Sequence, residues 1–111
     1  HLDSQGFADV QIKDLGGEPP ARTDPRHPFT QLSIDAARET YGIEPRVQPM
    51  VGGSGPNHAF IHHLHVPVMM AGVRAPGNKV PAPNENIRIQ DFINGARHTA
   101  RIIAGLPSIV S

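Results

Sequence analysis

Ile89, Phe92, Ala96, Thr99, Ile103 and Leu106 recur three and four residues apart near the end of this 111-residue chain. That spacing draws one apolar stripe down a helix. A stripe needs a second surface to cover it, so the chain is one layered domain or a piece of one. Asp91 sits where the helix N-terminus is positive, and Gly105 and Pro107 mark its stop. A second helix is predicted over 29–41, with Pro28 in its first turn, Phe29, Leu32, Ala36 and Thr40 at helical spacing, and Gly42 as the stop. A shorter one is predicted over 57–64, with Phe60, Ile61 and Leu64 as its apolar positions.

Strands are expected in three places. Val10, Ile12 and Leu15 give a half-buried strand over 9–15, and Arg46, Val47, Gln48 and Met50 a short one over 46–50. The continuous apolar run 66–73 is expected to be a strand covered on both faces. Strand, helix, strand, helix in this order implies a right-handed crossover and an α/β layer. Leu2 to Gly6 is the last turn of a helix closed by glycine. Between 16 and 28, two glycines and four prolines form a linker between structural units. There is no internal repeat.

Ten basic and ten acidic side chains cancel, and no segment gathers a basic stripe, so neither a nucleic acid nor an anionic membrane is expected as partner. The longest apolar stretch is far too short to span a bilayer. No secretory signal is visible, and a cytoplasmic location is the expectation. Cysteine is absent, which excludes disulfides, thiolate zinc sites and cysteine nucleophiles. A metal would have to be held by His, Asp or Glu, and the chain has seven histidines.

Four candidate chemistries follow. The 52–56 loop, Gly-Gly-Ser-Gly-Pro, lies between a strand and a short helix, where backbone N–H groups can cradle a carboxylate or a phosphate. Taken alone, the loop is better explained as a tight glycine-permitted turn, and it matches no nucleotide-binding fingerprint. His58 and His62 share a helix face and could grip a metal, but no glutamate follows the first histidine as in zinc-protease helices. Surface or capping histidines are the commoner outcome. Asn84-Glu85-Asn86 follows a proline-stiffened loop, where Glu85 can serve as acid, base or partner to a ligand, or the segment can be ordinary turn chemistry. Ser54 between glycines is no nucleophile elbow, and the serine route is rejected.

Together, Gly-Gly-Ser-Gly-Pro at 52–56, the short helix, the apolar run 66–73, Ala82-Pro83-Asn84-Glu85-Asn86-Ile87 and the final amphipathic helix resemble one family. It is the closing stretch of the di-zinc metallopeptidases and amidohydrolases that include carnosinase, aminoacylase, acetylornithine deacetylase and succinyl-diaminopimelate desuccinylase (metallopeptidase family twenty). The resemblance spans nearly the whole chain. It implies a partial three-layer α/β catalytic domain over 24–111, preceded over 1–23 by the end of a lid and dimerisation domain with its linker. It also implies that Gly53, Ser54 and Gly55 help to hold substrate, and that Asn84 and Glu85 belong to an active-site loop.

In this family two zinc ions polarise the scissile carbonyl and activate a water, and a glutamate takes the proton. The resemblance places most zinc ligands and that glutamate upstream, in a missing N-terminal catalytic half marked by a His-x-Asp segment and a Glu-Glu pair. Zinc is therefore expected in the intact parent and not in this portion, and no catalytic residue is assigned. The implied substrates are small peptides or N-acyl amino acids. One departure stands out: where the family has a zinc-binding histidine before Ala-Pro-Asn-Glu, this chain has Pro81, which offers no side-chain donor. That favours a rival expectation, a non-catalytic binding or oligomerisation module of the same fold. A nucleotide-binding α/β domain, resting on the glycine loop alone, trails both. Unpaired edges at 9–15 and 66–73 imply self-association into a homo-oligomer.

Overall fold

Proline cannot donate a backbone N–H, so it costs a helix nothing in the first turn, and the first helix begins on Pro28. The computed structural model describes residues 1–53 and 55–110. Among them are α1 (Pro28–Tyr41), α2 (Asn57–His63) and α3 (Ile89–Gly105), with 3-10 turns at Asp3–Gln5 and Leu106–Ser108. His27 caps α1: its Nδ1 accepts from the Phe29 amide at 3.1 Å. At the other end Gly42 adopts the left-handed conformation at φ 67° and returns its N–H to the Arg38 carbonyl. Gly6, at φ 84°, closes the opening 3-10 turn in the same way. Instead of ending at a left-handed glycine, α3 runs through Gly105 straight into the Leu106–Ser108 turn. No helix is long and apolar enough to cross a membrane among the described residues.

The core is the contact between α1 and α3. Thr30, Ser33, Ala36 and Ala37 are the buried residues of α1, and Gly95 and His98 those of α3. Small side chains let the two backbones approach closely. His98 Nε2 donates to the Ser33 carbonyl at 2.9 Å, the Tyr41 ring meets the His98 ring edge-on at 5.8 Å, and Arg101 reaches Glu39 and Thr40 at 3.2 Å. A Cβ on Gly105 would run into Leu32 Cδ1, and one on Gly95 into Val73 Cγ1.

Two expectations are corrected. The stripe predicted on α3 is not the face that packs: Ile89 is 79% exposed, Phe92 64% and Ile103 62%. The packed face is one residue round, through Gly95, His98, Ile102 and Gly105. Secondly, none of 9–15, 46–50 and 66–73 pairs into a strand, and no strand occurs among the described residues. The double cover expected for 66–73 is missing as well, since Val66, Met70, Ala71 and Gly72 are exposed. Alternation of apolar residues specifies which face a strand would bury. It cannot supply the neighbour whose amides complete the ladder.

At one point a side chain stands in for that neighbour. The Thr23 hydroxyl donates to the Val68 carbonyl at 2.8 Å and accepts from the Val68 amide at 2.9 Å. Thr23→Val keeps the shape and removes both bonds, at a cost of about 1–3 kcal/mol where the groups are left unpaired. Amide exchange at Val68 is therefore expected to accelerate at least about fivefold in Thr23→Val and to stay near the parent rate in Thr23→Ser. Equal protection in all three would show that the hydroxyl does not hold this segment.

The result is an open structure. Its radius of gyration is 18.5 Å, against about 13 Å for a compact chain of this size. Its accessible surface is 9023 Å², against about 6,000 Å² for a globular chain of its mass. Much of the excess is apolar, from Ile12 and Leu15 to Met70, Ile89 and Phe92.

Candidate functional site

The two loops singled out by sequence are both at the surface. In the first, the Gly53 amide donates to the Val51 carbonyl at 2.9 Å, a three-residue turn. The left-handed glycines of the chain are Gly6, Gly16, Gly42 and Gly77, so no described residue of this loop needs glycine for a positive φ. Nor does crowding require it: nothing lies within 4 Å of a Cβ built on Gly52 or Gly53, and only Asn57 Nδ2, at 3.9 Å, near one on Gly55. What the glycines provide is open backbone that a ligand can approach. Ser54 lies outside the described residues. α2 follows directly, with no side-chain cap and no buried residue.

The second loop is an arc tied at its base. The Asn86 amide donates to the Asn78 carbonyl at 3.1 Å, and the Asn78 amide to the Ala75 carbonyl at 3.3 Å. Within it Gly77, Lys79 and Asn84 take left-handed conformations at φ 91°, 58° and 65°. Asparagine tolerates that region better than most residues, and the Asn84 carbonyl also accepts from Asn86 Nδ2 at 3.0 Å. Pro81, Asn84 and Glu85 are all exposed. Glu85 forms no ion pair with another described residue. The loops are not joined: no hydrogen bond or ion pair links 52–56 to 81–86 among the described residues.

Donor chemistry decides whether this second loop fits a zinc ion. Pro81 has none, and Glu85 is the one residue of the loop of a type that ligates zinc, short of the three or four ligands zinc takes from a protein. No group of three or more His, Asp or Glu side chains converges to hold a metal among the described residues. The loop does not fit the ion by itself.

Sequence reasoning missed a cavity of about 90 Å³ between the end of α1 and the start of α3, lined by Tyr41, Gly72, Val73, Arg74, Arg88 and Asp91. A wider, open hollow beside Arg22, Asp24, Pro25 and Arg26 shares no residue with either loop. Arg88 holds Asp91 through both carboxylate oxygens, which strengthens the guanidinium's hold on its proton. The Tyr41 hydroxyl is buried without a hydrogen-bond partner among the described residues. Burial first, and the Asp91 carboxylate second, push its pKa above the usual phenol value. Nothing in the order of residues brings Tyr41 to Asp91, so no sequence signal was available.

The sign of the linkage follows from that shift. A phenol whose pKa is raised on folding binds its proton more tightly in the folded state, so its contribution is intact below the unfolded value near pH 10 and is lost as pH rises through the folded value. Tyr41→Phe forfeits no protein hydrogen bond. The variant is expected to match the parent's thermal midpoint at pH 7 and to lose less stability between pH 9 and about 11. A lower midpoint at neutral pH would show that the hydroxyl is bonded after all.

The sequence model of the peptidase family M20/M25/M40 matches residues 6–105. No curated protein and no solved structure matches the chain.

Proposed function

Because the chain belongs to the peptidase family M20/M25/M40, we propose that it is the C-terminal portion of a zinc-dependent hydrolase that releases amino acids from dipeptides or N-acyl amino acids, and that it is inactive alone. The observation that carries this reading is the family match, which spans both loops and all three helices. In this reading, residues 1–23 end a lid domain and 24–111 return to the catalytic domain. Gly53, Ser54 and Gly55 hold the substrate, and Asn84 and Glu85 border the reacting centre. The zinc ions and the general base belong to an N-terminal catalytic half, so no chemical step is assigned to a residue here.

The open surface supports a partner of that kind. A sheet laid along 66–73 and against the outward face of α3 would cover Val66, Met70, Ile89, Phe92 and Ile103, all exposed now. It would also give the unpaired segments the α/β ladder that the resemblance implies. Homo-oligomer formation through lid or sheet edges belongs to the same reading.

Pro81 favours a second reading, a relative that keeps the fold and has lost zinc chemistry. Co-production with a family polypeptide bearing the His-x-Asp and Glu-Glu segments separates the two. The first reading expects a complex that releases amino acids from a dipeptide or an N-acyl amino acid with Pro81 in place. The second expects the complex to form but to turn over substrate only as Pro81→His. Failure to form a complex would sink both.

A further inference from the structure

Tyr41 lines the cavity of about 90 Å³, and its hydroxyl is buried with no hydrogen-bond partner among the described residues. A buried phenol without a partner forgoes the bonds that water gives it in the unfolded chain, so such a group calls for an occupant. The charges around it are unequal: Arg74 and Arg88 line the cavity beside one carboxylate, Asp91. Arg88 commits Nε and Nη2 to the two oxygens of Asp91, and its Nη1 donates to no described residue. Arg74 joins no ion pair with another described residue. Asp91 acts on the charge of the phenol but accepts no hydrogen bond from it. The phenol keeps its proton at neutral pH and is a donor there. Donors therefore come from three segments: the last residue of α1, the residue before α3, and the residue after the 66–73 run. The space between them equals about three water molecules of liquid.

We propose that this cavity is a binding site for a small carboxylate of formate or acetate size, held by the Tyr41 hydroxyl and the guanidiniums of Arg74 and Arg88. Both oxygens of a carboxylate accept hydrogen bonds, so one takes the phenol's proton donor while the other meets a guanidinium. Asp91 opposes an anion, but Arg88 balances it and leaves the charge of Arg74 in excess. The ligand ties the chain at 72–74 to both helices. Val73 already lies against Gly95 of α3, and the carboxylate adds a polar link from Arg74 to the end of α1. The cavity shares no residue with the 52–56 or 81–86 loops, so it is a place for an effector and not a part of the candidate site. Amide hydrolysis liberates a carboxylate, which gives the hydrolase reading a natural ligand here, but the site does not rest on that reading.

Sodium formate titrated into the isotope-labelled full chain, with sodium chloride holding the ionic strength constant, tests this by two-dimensional NMR. The expected result is one saturable site, with amide shifts centred on Tyr41, Gly72, Arg74 and Arg88, and a thermal midpoint that rises with formate. In Tyr41→Phe, and separately in Arg74→Gln, affinity falls at least about tenfold, the fold-change of losing one hydrogen bond to a charged group. Tyr41→Phe is expected to melt with the parent at neutral pH and Arg74 is exposed, so neither change threatens the fold. Arg22→Gln, beside the other hollow, binds as the parent does. Shifts no larger than chloride alone gives, unchanged affinity in either cavity variant, an equal loss in Arg22→Gln, or tighter binding of methylammonium than of formate would overturn the assignment. Hydrolytic activity plays no part in the readout.

Discussion

Gly95→Val is expected to destabilise the chain by about 3 kcal/mol, while Gly105→Ala changes it little. Both glycines lie in α3, where a side chain would ordinarily help, since glycine in a helix interior costs about 1 kcal/mol relative to alanine. Their surroundings decide otherwise. A Cβ on Gly95 would strike Val73 Cγ1 and lie 3.3 Å from Val73 Cβ, a branch point that rotation about χ1 does not move away. A Cβ on Gly105 would meet mainly Leu32 Cδ1, the mobile end of a longer side chain. A double-mutant cycle is decisive: Val73→Ala should recover much of what Gly95→Val loses, because the two share one contact. Thermal melts of the four proteins measure this. Additive effects would mean that 66–73 does not pack on α3 as described.

The other large effect concerns the outward face of α3. Phe92→Ser with Ile103→Ser should leave the isolated chain's stability within about 0.5 kcal/mol, the usual effect of exposed positions. Each would cost about 2–5 kcal/mol if its side chain were packed in a core. The same pair should abolish assembly with the proposed N-terminal catalytic half, because two large side chains contribute about 1.5–3 kcal/mol each when covered. Together that weakens association more than about a hundredfold. Co-purification and melting of the double variant supply both halves. If the isolated chain unfolds, the face is already in use; if assembly survives intact, the partner sits elsewhere.

That face also shows what a sequence can and cannot convey. Spacing located α1, α2 and α3 because periodicity is local, and Pro28 and Gly42 punctuate the chain for reasons confined to one residue's backbone. Which side of α3 meets α1 is not local. Gly95, His98, Ile102 and Gly105 are also three and four apart, but glycine and histidine carry no hydropathy signal, so the eye follows Ile89, Phe92 and Ile103. Close approach selected the smaller side chains. The strands failed for a related reason: Val10, Ile12 and the 66–73 run have strand-like patterns, and a pattern brings no ladder partner. Among the site residues, Pro81 was legible only through the family resemblance, whereas the Asn84-Glu85 pair drew notice from its place after a proline-stiffened loop, and their exposed loop adds no cluster to either signal. The cavity beside Tyr41 depends on α1 and α3 packing antiparallel, which sets the end of one beside the start of the other, and no short window of sequence encodes that.

Amide hydrolysis by the isolated 111-residue chain, supplied with zinc and offered a dipeptide and an N-acyl amino acid, is the most direct test of the claim that it holds only part of an active site. The expected result is no release of amino acid above the uncatalysed rate. Steady turnover that a chelator abolishes would contradict it, because ligands and base would then have to come from these residues alone.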